Sequence, residues 1–598
     1  MKNAYLKNSA LALLPLVVIT ALIPVLPIRE SWVTTFSYIG IYSIVALSVV
    51  LLTGMAGMLS FGQAAFLGLG AYATAALSTH LGWSPWLGLL AGWVVTACSA
   101  WVLGRITLRM TGPYLPITTM LWGLALYFTF ANLDVLGRND GISGIPAVRV
   151  GAWSLEGQTA MYGLIWAVVV LALLGLRNYL NSRLGRATRA LLSGTVMPEA
   201  MGIDTVHLKT LVFVYAALLA STAGWLYAHM VRAVSPSAFG FNYSVEFVFM
   251  AVVGGVGQLW GALLGAGVLT ILKDLLQSYV PRLLPLEGNF EAILFGILIV
   301  VILIKTRQGL WPFIQRKIRI APLAVAPADA AFLPRSEKPA AGTLLLKLEG
   351  VLRVFGGLVA VNKVSFEVKA RQIVALIGPN GAGKSTTFNL VTGVLPVSGG
   401  RIEYRGQPIS GLSSRQIVKG GICRTFQHVR LLPEMSVLEN TAIGAHLRPA
   451  GDARRGVLRS ILRLNGREER ELLGEAALQL QRVGLGDFLH ANAGSLSLGQ
   501  QRLIEIARAL CADPVLLMLD EPAAGLRHLE KQALAALLRQ LRGEGVTVLL
   551  VEHDMEFVMG LADDIVVMDF GSKIAQGTPA HVQQDPAVLQ AYLGGEEL

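Results

Sequence analysis

The residues best suited to chemistry form one short run, Gly378-Pro379-Asn380-Gly381-Ala382-Gly383-Lys384-Ser385-Thr386. An apolar run, Ile373 to Ile377, leads into it, so the expected order is strand, loop, helix. Glycines let successive backbone N–H groups converge at a helix N-terminus, where the helix dipole favours an anion. Lys384 brings a positive charge to the β and γ phosphates, and the Ser385 hydroxyl suits Mg²⁺. The implied ligands are ATP and Mg²⁺.

A second run, Val515 to Leu519, ends in Asp520-Glu521-Pro522. Two carboxylates at a strand end divide the work: Asp520 holds Mg²⁺, and Glu521 polarises the attacking water as general base. An exposed acidic turn is the other use of such a pair, and the phosphate loop upstream argues against it.

These residues need a scaffold. Apolar runs at Leu344–Leu348, Val364–Val368, Ile373–Ile377, Val515–Leu519 and Val546–Val551 alternate with helical stretches, which predicts an α/β domain around a largely parallel sheet. The chain before Lys305 is of another kind. It concentrates the apolar residues that give the whole a mean hydropathy of +0.58, too high for a wholly soluble protein.

Spans of the length a bilayer requires are expected at Ser9–Ile28, Trp32–Leu52, Met58–Leu77, Ser84–Leu103, Tyr114–Ala131, Ala160–Leu176, Leu211–Met230 and Phe290–Ile304. Basic residues cluster at Arg105 and Arg109, at 177–189 and at 305–319, which places those loops and both termini on the cytoplasmic side. Counting crossings, the long run Val245–Leu272 must begin and end outside, so a break is expected at Gly254-Gly255-Val256-Gly257. The other glycines read as sites of close helix packing. Glu246 and Glu291, near the ends of apolar runs, read as hydrated rather than functional. The formal charge of +11 collects in loops and on the soluble half, so nucleic acid is not an expected partner. Cys98, Cys423 and Cys511 match no disulfide or metal spacing.

The run Leu496-Ser497-Leu498-Gly499-Gln500-Gln501 resembles the signature of ATP-binding cassettes, with Leu498 in place of the commoner glycine. In that family Ser497, Gly499 and Gln500 would face nucleotide held by a second cassette. The resemblance also implies Phe355 under the adenine, Gln427 between the lobes at the metal and attacking water, and His553 at the γ-phosphate. Arg527 stands where cassettes usually place Asp or Asn.

The first half resembles permeases of the branched-chain amino acid uptake family through residues 108–115, 139–146, Ser235 to Phe241 and Gly254 to Gly261. Residues 344–598 resemble the ATPase subunit of the same family, notably Phe355 to Asn362, Gly577-Thr578-Pro579 and Ala591-Tyr592-Leu593-Gly594. Such permeases dock on the ATPase through a short helix before a glycine, here Gly202, although Thr195-Val196-Met197-Pro198 departs from the family pattern.

The expected organisation is therefore a polytopic α-helical membrane domain over 1–305, a linker rich in Ala and Pro over 306–342, and an α/β P-loop ATPase of the ABC type over 343–598. The resemblance implies an ATP-driven importer of branched-chain amino acids or related small polar solutes in a bacterial inner membrane, with the ATPase in the cytoplasm. Its expected partners are the lipid bilayer, a second permease and a second ATPase, making a hetero-assembly, and a periplasmic or lipid-anchored solute-binding protein.

Overall fold

The computed structural model describes residues 23, 30–108, 114–151, 153–283, 290–306, 308–317, 333–448 and 453–593. These form two compact units. The first draws on Met1–Asn181, Val206–Ala321 and Val457–Arg463; the second on Ser182–Thr205, Pro322–Gly456 and Leu464–Leu598.

The first unit is helical: α1 (Glu30–Met55), α2 (Gln63–His80), α3 (Pro85–Thr107), α4 (Tyr114–Asn132), α5 (Gln158–Leu180), α6 (Thr205–Val231), α7 (Phe241–Gly254), α8 (Leu259–Leu283) and α9 (Phe290–Lys305). Among the described residues, α1, α3, α4, α5, α6 and the Leu259–Tyr279 part of α8 are long and apolar enough to cross a membrane. The expected Ser9–Ile28 span apart from Ile23, residues 109–113 of the 108–115 segment, and residues 307 and 318–332 of the linker lie outside the described residues.

Two expectations shift. The Met58–Leu77 span begins only at Gln63, because Gly57 turns the chain in the left-handed region. Helix α2 carries Gln63, Thr74 and Ser78, all buried, so it is surrounded by other helices and need not be as apolar as a lipid-facing one. The Leu211–Met230 span begins earlier, at Thr205.

The 245–272 run breaks where glycine allows it. Helix α7 ends at Gly254, Gly255 and Gly257 take φ of 130° and 82°, and α8 starts at Leu259. The two helices then pack backbone to backbone: a Cβ on Gly254 would lie 1.8 Å from Gly261 O, and one on Gly265 would lie 1.9 Å from Met250 O. Small residues are what permit that approach.

The second unit holds two sheets. In the four-stranded one, β1 (Leu344–Phe355), β2 (Leu358–Lys369), β4 (Gly399–Tyr404) and β5 (Gln407–Pro408) pair antiparallel in the order β2-β1-β4-β5. The Leu344–Leu348 and Val364–Val368 runs thus lie outside the parallel sheet expected to contain them. Gly356-Gly357 closes β1 and β2 into a hairpin instead.

The six-stranded sheet contains β3 (Ile373–Ile377), β6 (Ile422–Arg424), β7 (Leu516–Asp520), β8 (Thr547–Val551), β9 (Asp564–Asp569) and β10 (Ser572–Gly577), ordered β6-β7-β8-β3-β9-β10. All neighbours are parallel except β9 and β10. Strands β3, β7 and β8 are buried throughout, as their unbroken apolar runs require of strands covered on both faces.

Segment 182–205 belongs to this second unit. Its helix Arg183–Ala190 directs Arg186 onto Glu469 at 2.7 Å and Arg189 onto Glu439 at 2.8 Å. A short helix, Val196–Ala200, precedes Gly202, whose φ of 81° and tight contact with Leu447 exclude a larger residue. Thr195 stands at the N-cap position without a side-chain capping bond, and Pro198 fits the first turn, where no backbone N–H is needed, so the departure from the family pattern is accommodated without losing the helix.

Candidate functional site

In an open parallel sheet, ligands gather at the carboxyl ends of the strands. Four adjacent strands, β6-β7-β8-β3, release there the chain segments carrying Gln427, Asp520-Glu521, His553 and the 378–386 loop.

The loop after β3 turns on Gly378 (φ 150°), Gly381 (φ 82°) and Gly383 (φ 90°). Two of these are also required by crowding, since a Cβ on Gly378 would lie 2.0 Å from Met568 O and one on Gly383 would lie 2.4 Å from Ala360 O. Around Gly381 there is open space within 4 Å. The N–H of Ala382 bonds to Pro379 O at 3.2 Å, while Asn380 is exposed at the tip. Helix Lys384–Val391 follows, with Ser385 and Thr386 half-buried in its first turn.

Lys384 folds back over the loop, its Nζ donating to Gly378 O at 2.7 Å and Pro379 O at 2.8 Å. Burial pushes its pKa down, against the carboxylates of Glu521 and Asp520. A phosphate chain would replace two neutral carbonyls with full negative charges.

Asp520 closes β7, almost fully buried. Its Oδ2 lies 3.6 Å from Arg424 Nη2, and its Oδ1 has no hydrogen-bond partner. Burial raises its pKa, with Arg424 opposing. A buried carboxylate oxygen left open costs free energy unless something fills it, and beside a phosphate loop a divalent cation fits that donor.

Glu521 stands at φ 50°, in the left-handed region that a residue with a Cβ enters at a cost of roughly 1–3 kcal/mol. Its N–H bonds to Val551 O on the neighbouring strand at 2.9 Å, which holds it there. The outcome is a carboxylate shared by two of the expected site residues: Gln427 Nε2 is 3.0 Å and His553 Nε2 2.9 Å from Glu521 Oε1.

Phe355, 40% exposed, ends β1 with the Arg353 guanidinium 4.4 Å from its ring centre, a flat surface of the kind a base can stack on. Ser497, also exposed, caps helix Leu498–Cys511 and accepts from Gln500 N at 3.3 Å, while Gln500 Oε1 accepts from Ser497 N at 3.1 Å. Among the described residues, no hydrogen bond or ion pair joins Ser497, Gly499 or Gln500 to the 378–386 loop. The structure therefore gathers Gln427, Asp520, Glu521, His553 and Lys384 and leaves the signature run outside that group. Arg527 caps the next helix, its N–H donating to Glu530 Oε2 at 2.8 Å.

Several supports carry no sequence signal of their own. Glu552 is buried; its Oε1 accepts from Ala523 N at 2.5 Å and its Oε2 from His553 N at 3.1 Å, fastening the loop after Glu521 to His553. Burial raises the Glu552 pKa. Thr425 Oγ1 accepts from Asp520 N at 3.2 Å. The Gln427 loop is pinned from the signature helix: Arg502 Nη1 donates to Phe426 O at 2.9 Å, Arg508 Nη1 donates to Arg430 O at 2.8 Å, and Glu505 Oε1 accepts from Arg430 N at 2.9 Å.

Comparison with known proteins assigns both halves. Residues 31–303 match the family model described as branched-chain amino acid transport system / permease component; 361–524 match ABC transporter, and 572–597 branched-chain amino acid ATP-binding cassette transporter. The high-affinity branched-chain amino acid transport ATP-binding protein LivG of Salmonella typhimurium is 45% identical over 253 residues, 42% of this chain and 98% of the relative. BraF of Pseudomonas aeruginosa, described in the same words, is 45% identical over 251 residues, again 42% and 98%. A probable LivG of Archaeoglobus fulgidus is 34% identical over 253 residues, 42% and 96%. A crystal structure of a nucleotide-free ATP-binding cassette from an ABC transporter is 32% identical, covering 42% of this chain and 99% of its own, with a TM-score of 0.37.

Proposed function

Because the chain belongs to the branched-chain amino acid ABC transporter family, with permease and ATPase fused in one polypeptide, we propose that it imports branched-chain amino acids across a bacterial inner membrane. The observation that carries this reading is that the permease match and the C-terminal cassette match independently name the same solute class.

The ATPase site works as follows. The 378–386 backbone and Lys384 hold the ATP phosphates, and Phe355 stacks on the adenine. Ser385, Asp520 and Gln427 would hold Mg²⁺, which would supply neutralisation of the charge that develops on the phosphates. Glu521 takes the proton of the attacking water, with Gln427 and His553 aligning its carboxylate and His553 reaching the γ-phosphate.

One chain supplies one permease and one cassette, whereas a translocation path needs two of each. Ser497, Gly499 and Gln500 face a nucleotide in a second cassette, and the departures at 195–198 and Arg527 favour a non-identical partner half. A periplasmic or lipid-anchored binding protein delivers the solute. Cells expressing the complete assembly should accumulate radiolabelled leucine, isoleucine or valine, and lose accumulation with Lys384→Ala. Efflux from preloaded cells, or an active homodimer of this chain alone, would overturn the direction or the partner.

A further inference from the structure

A carboxylate and an ammonium on membrane helices must be paired or hydrated, and such residues are candidates for a solute or ion path by default. Glu246 on α7 and Lys273 on α8 are such a pair. Lys273 Nζ donates to Glu246 Oε1 at 2.8 Å and Oε2 at 3.0 Å. The side chains keep 22% and 36% exposure, so neither is sealed inside the bundle.

Aromatic rings extend from this pair. Lys273 Nζ lies 5.3 Å from the centre of the Tyr243 ring. Tyr243 and Phe247 are 6.5 Å apart, Phe247 and Tyr42 5.5 Å, Tyr42 and Tyr38 5.8 Å, and Tyr38 and Tyr227 6.4 Å. Tyr38, Tyr42, Tyr227 and Tyr243 are half-buried, and they come from three helices, α1, α6 and α7. A clamp between α7 and α8 is the simpler use of the ion pair. That hairpin is already closed by the glycine contacts at Gly254 and Gly265, however, and a clamp needs no row of tyrosines.

We propose that Glu246, Lys273 and the tyrosines around them form a contact site for a zwitterionic amino acid with an apolar side chain, on its way through the permease half. The proposal rests on the import reading above. With no solute present the two side chains neutralise each other. An arriving zwitterion exchanges partners with them: its carboxylate takes Lys273, and its ammonium takes Glu246 and the face of Tyr243. Its branched side chain lies against Tyr38, Tyr42 and Tyr227. Net charge stays zero at every stage, which a low-dielectric path demands.

The test is uptake of radiolabelled L-leucine by the complete assembly in proteoliposomes with its binding protein. Glu246→Gln and Lys273→Gln should each raise KM for leucine about tenfold or more, and Tyr243→Leu, a milder change, about threefold. The decisive variant exchanges the charges, Glu246→Lys with Lys273→Glu. It keeps an ion pair but reverses its polarity beside Tyr243, so uptake should stay impaired. Recovery of uptake in the exchanged variant, or unchanged KM in both single variants and in Tyr243→Leu, overturns the site and leaves a clamp. A wild-type assembly that accumulates none of the branched-chain amino acids overturns the import reading and this site with it.

Discussion

Two glycine-rich breaks, Gly378–Gly383 and Gly254–Gly257, use the same backbone freedom for opposite ends. Each follows an apolar element, and each holds glycines at positive φ. In the membrane half the space is filled by backbone: a Cβ on Gly54 would lie 2.2 Å from Gly257 N, and Gly254 is pressed against Gly261. In the ATPase the flanking Gly378 and Gly383 are crowded while Gly381 faces open space, with the Lys384 ammonium bound back across the loop. Glycine thus announces only that a chain can turn tightly. Whether the turn closes against protein or opens toward a ligand depends on the charge placed beside it.

The largest expected effect separates chemistry from binding on the open side. Glu521→Gln should cut steady-state hydrolysis in the complete assembly by about 10²- to 10⁴-fold while nucleotide still binds. Lys384→Ala should weaken nucleotide binding itself. Near-normal turnover with Glu521→Gln would move the general base elsewhere.

On the filled side, Gly254→Val should destabilise the membrane half by about 1–3 kcal/mol or more, because the α7–α8 contact cannot close around a side chain. Thermal unfolding of the detergent-solubilised chain measures it, and an unchanged transition would mean the two helices separate at no cost.

Gly381→Ala is the matched, smaller change. The added methyl meets open space, so only the φ of 82° resists, a cost of about 1–2 kcal/mol. Nucleotide affinity should fall modestly, and the unfolding transition should drop by no more than this backbone cost. A loss as large as that of Gly254→Val would show this loop to be as crowded as the membrane break.

The smallest effect tests whether the halves unfold on separate terms. Burial would raise the Asp513 pKa, but hydrogen bonds from Ser336 N–H and from Lys338, at 3.0 Å, outweigh it and hold it below the ordinary value. The unfolded chain therefore binds a proton at higher pH than the fold does. The stabilisation is complete above about pH 4 and is lost as pH falls through the folded value. Asp513→Asn should flatten the acid dependence of the ATPase transition and leave that of the membrane half alone.

Much of the site was legible because its motifs are local. Lys384 opens the helix that follows an apolar strand and its glycine loop, Asp520 closes another apolar strand and Glu521 comes next, and the cassette resemblance added Gln427 and His553, which the fold brings to the same carboxylate. Glu552, Thr425, Arg502, Glu505 and Arg508 were not legible, because they act on residues remote in sequence and any helix or strand end carries such types. The antiparallel placement of the 344–348 and 364–368 runs escaped for a related reason: an apolar strand does not state which sheet it joins. In the membrane half hydropathy located the helices and glycine located the break. Nothing local to Glu246 announces Lys273 as its partner, because the two lie on different helices.

The buried trio Arg502, Glu505 and Arg508 ties the helix that Ser497 opens to the backbone on both sides of Gln427. That helix is therefore a lever whose far arm ends at the carboxylate of Glu521. Because Gln427 in turn reaches Glu521 Oε1, a displacement of the helix's exposed end would be felt at that carboxylate through rigid guanidinium struts rather than by diffusion.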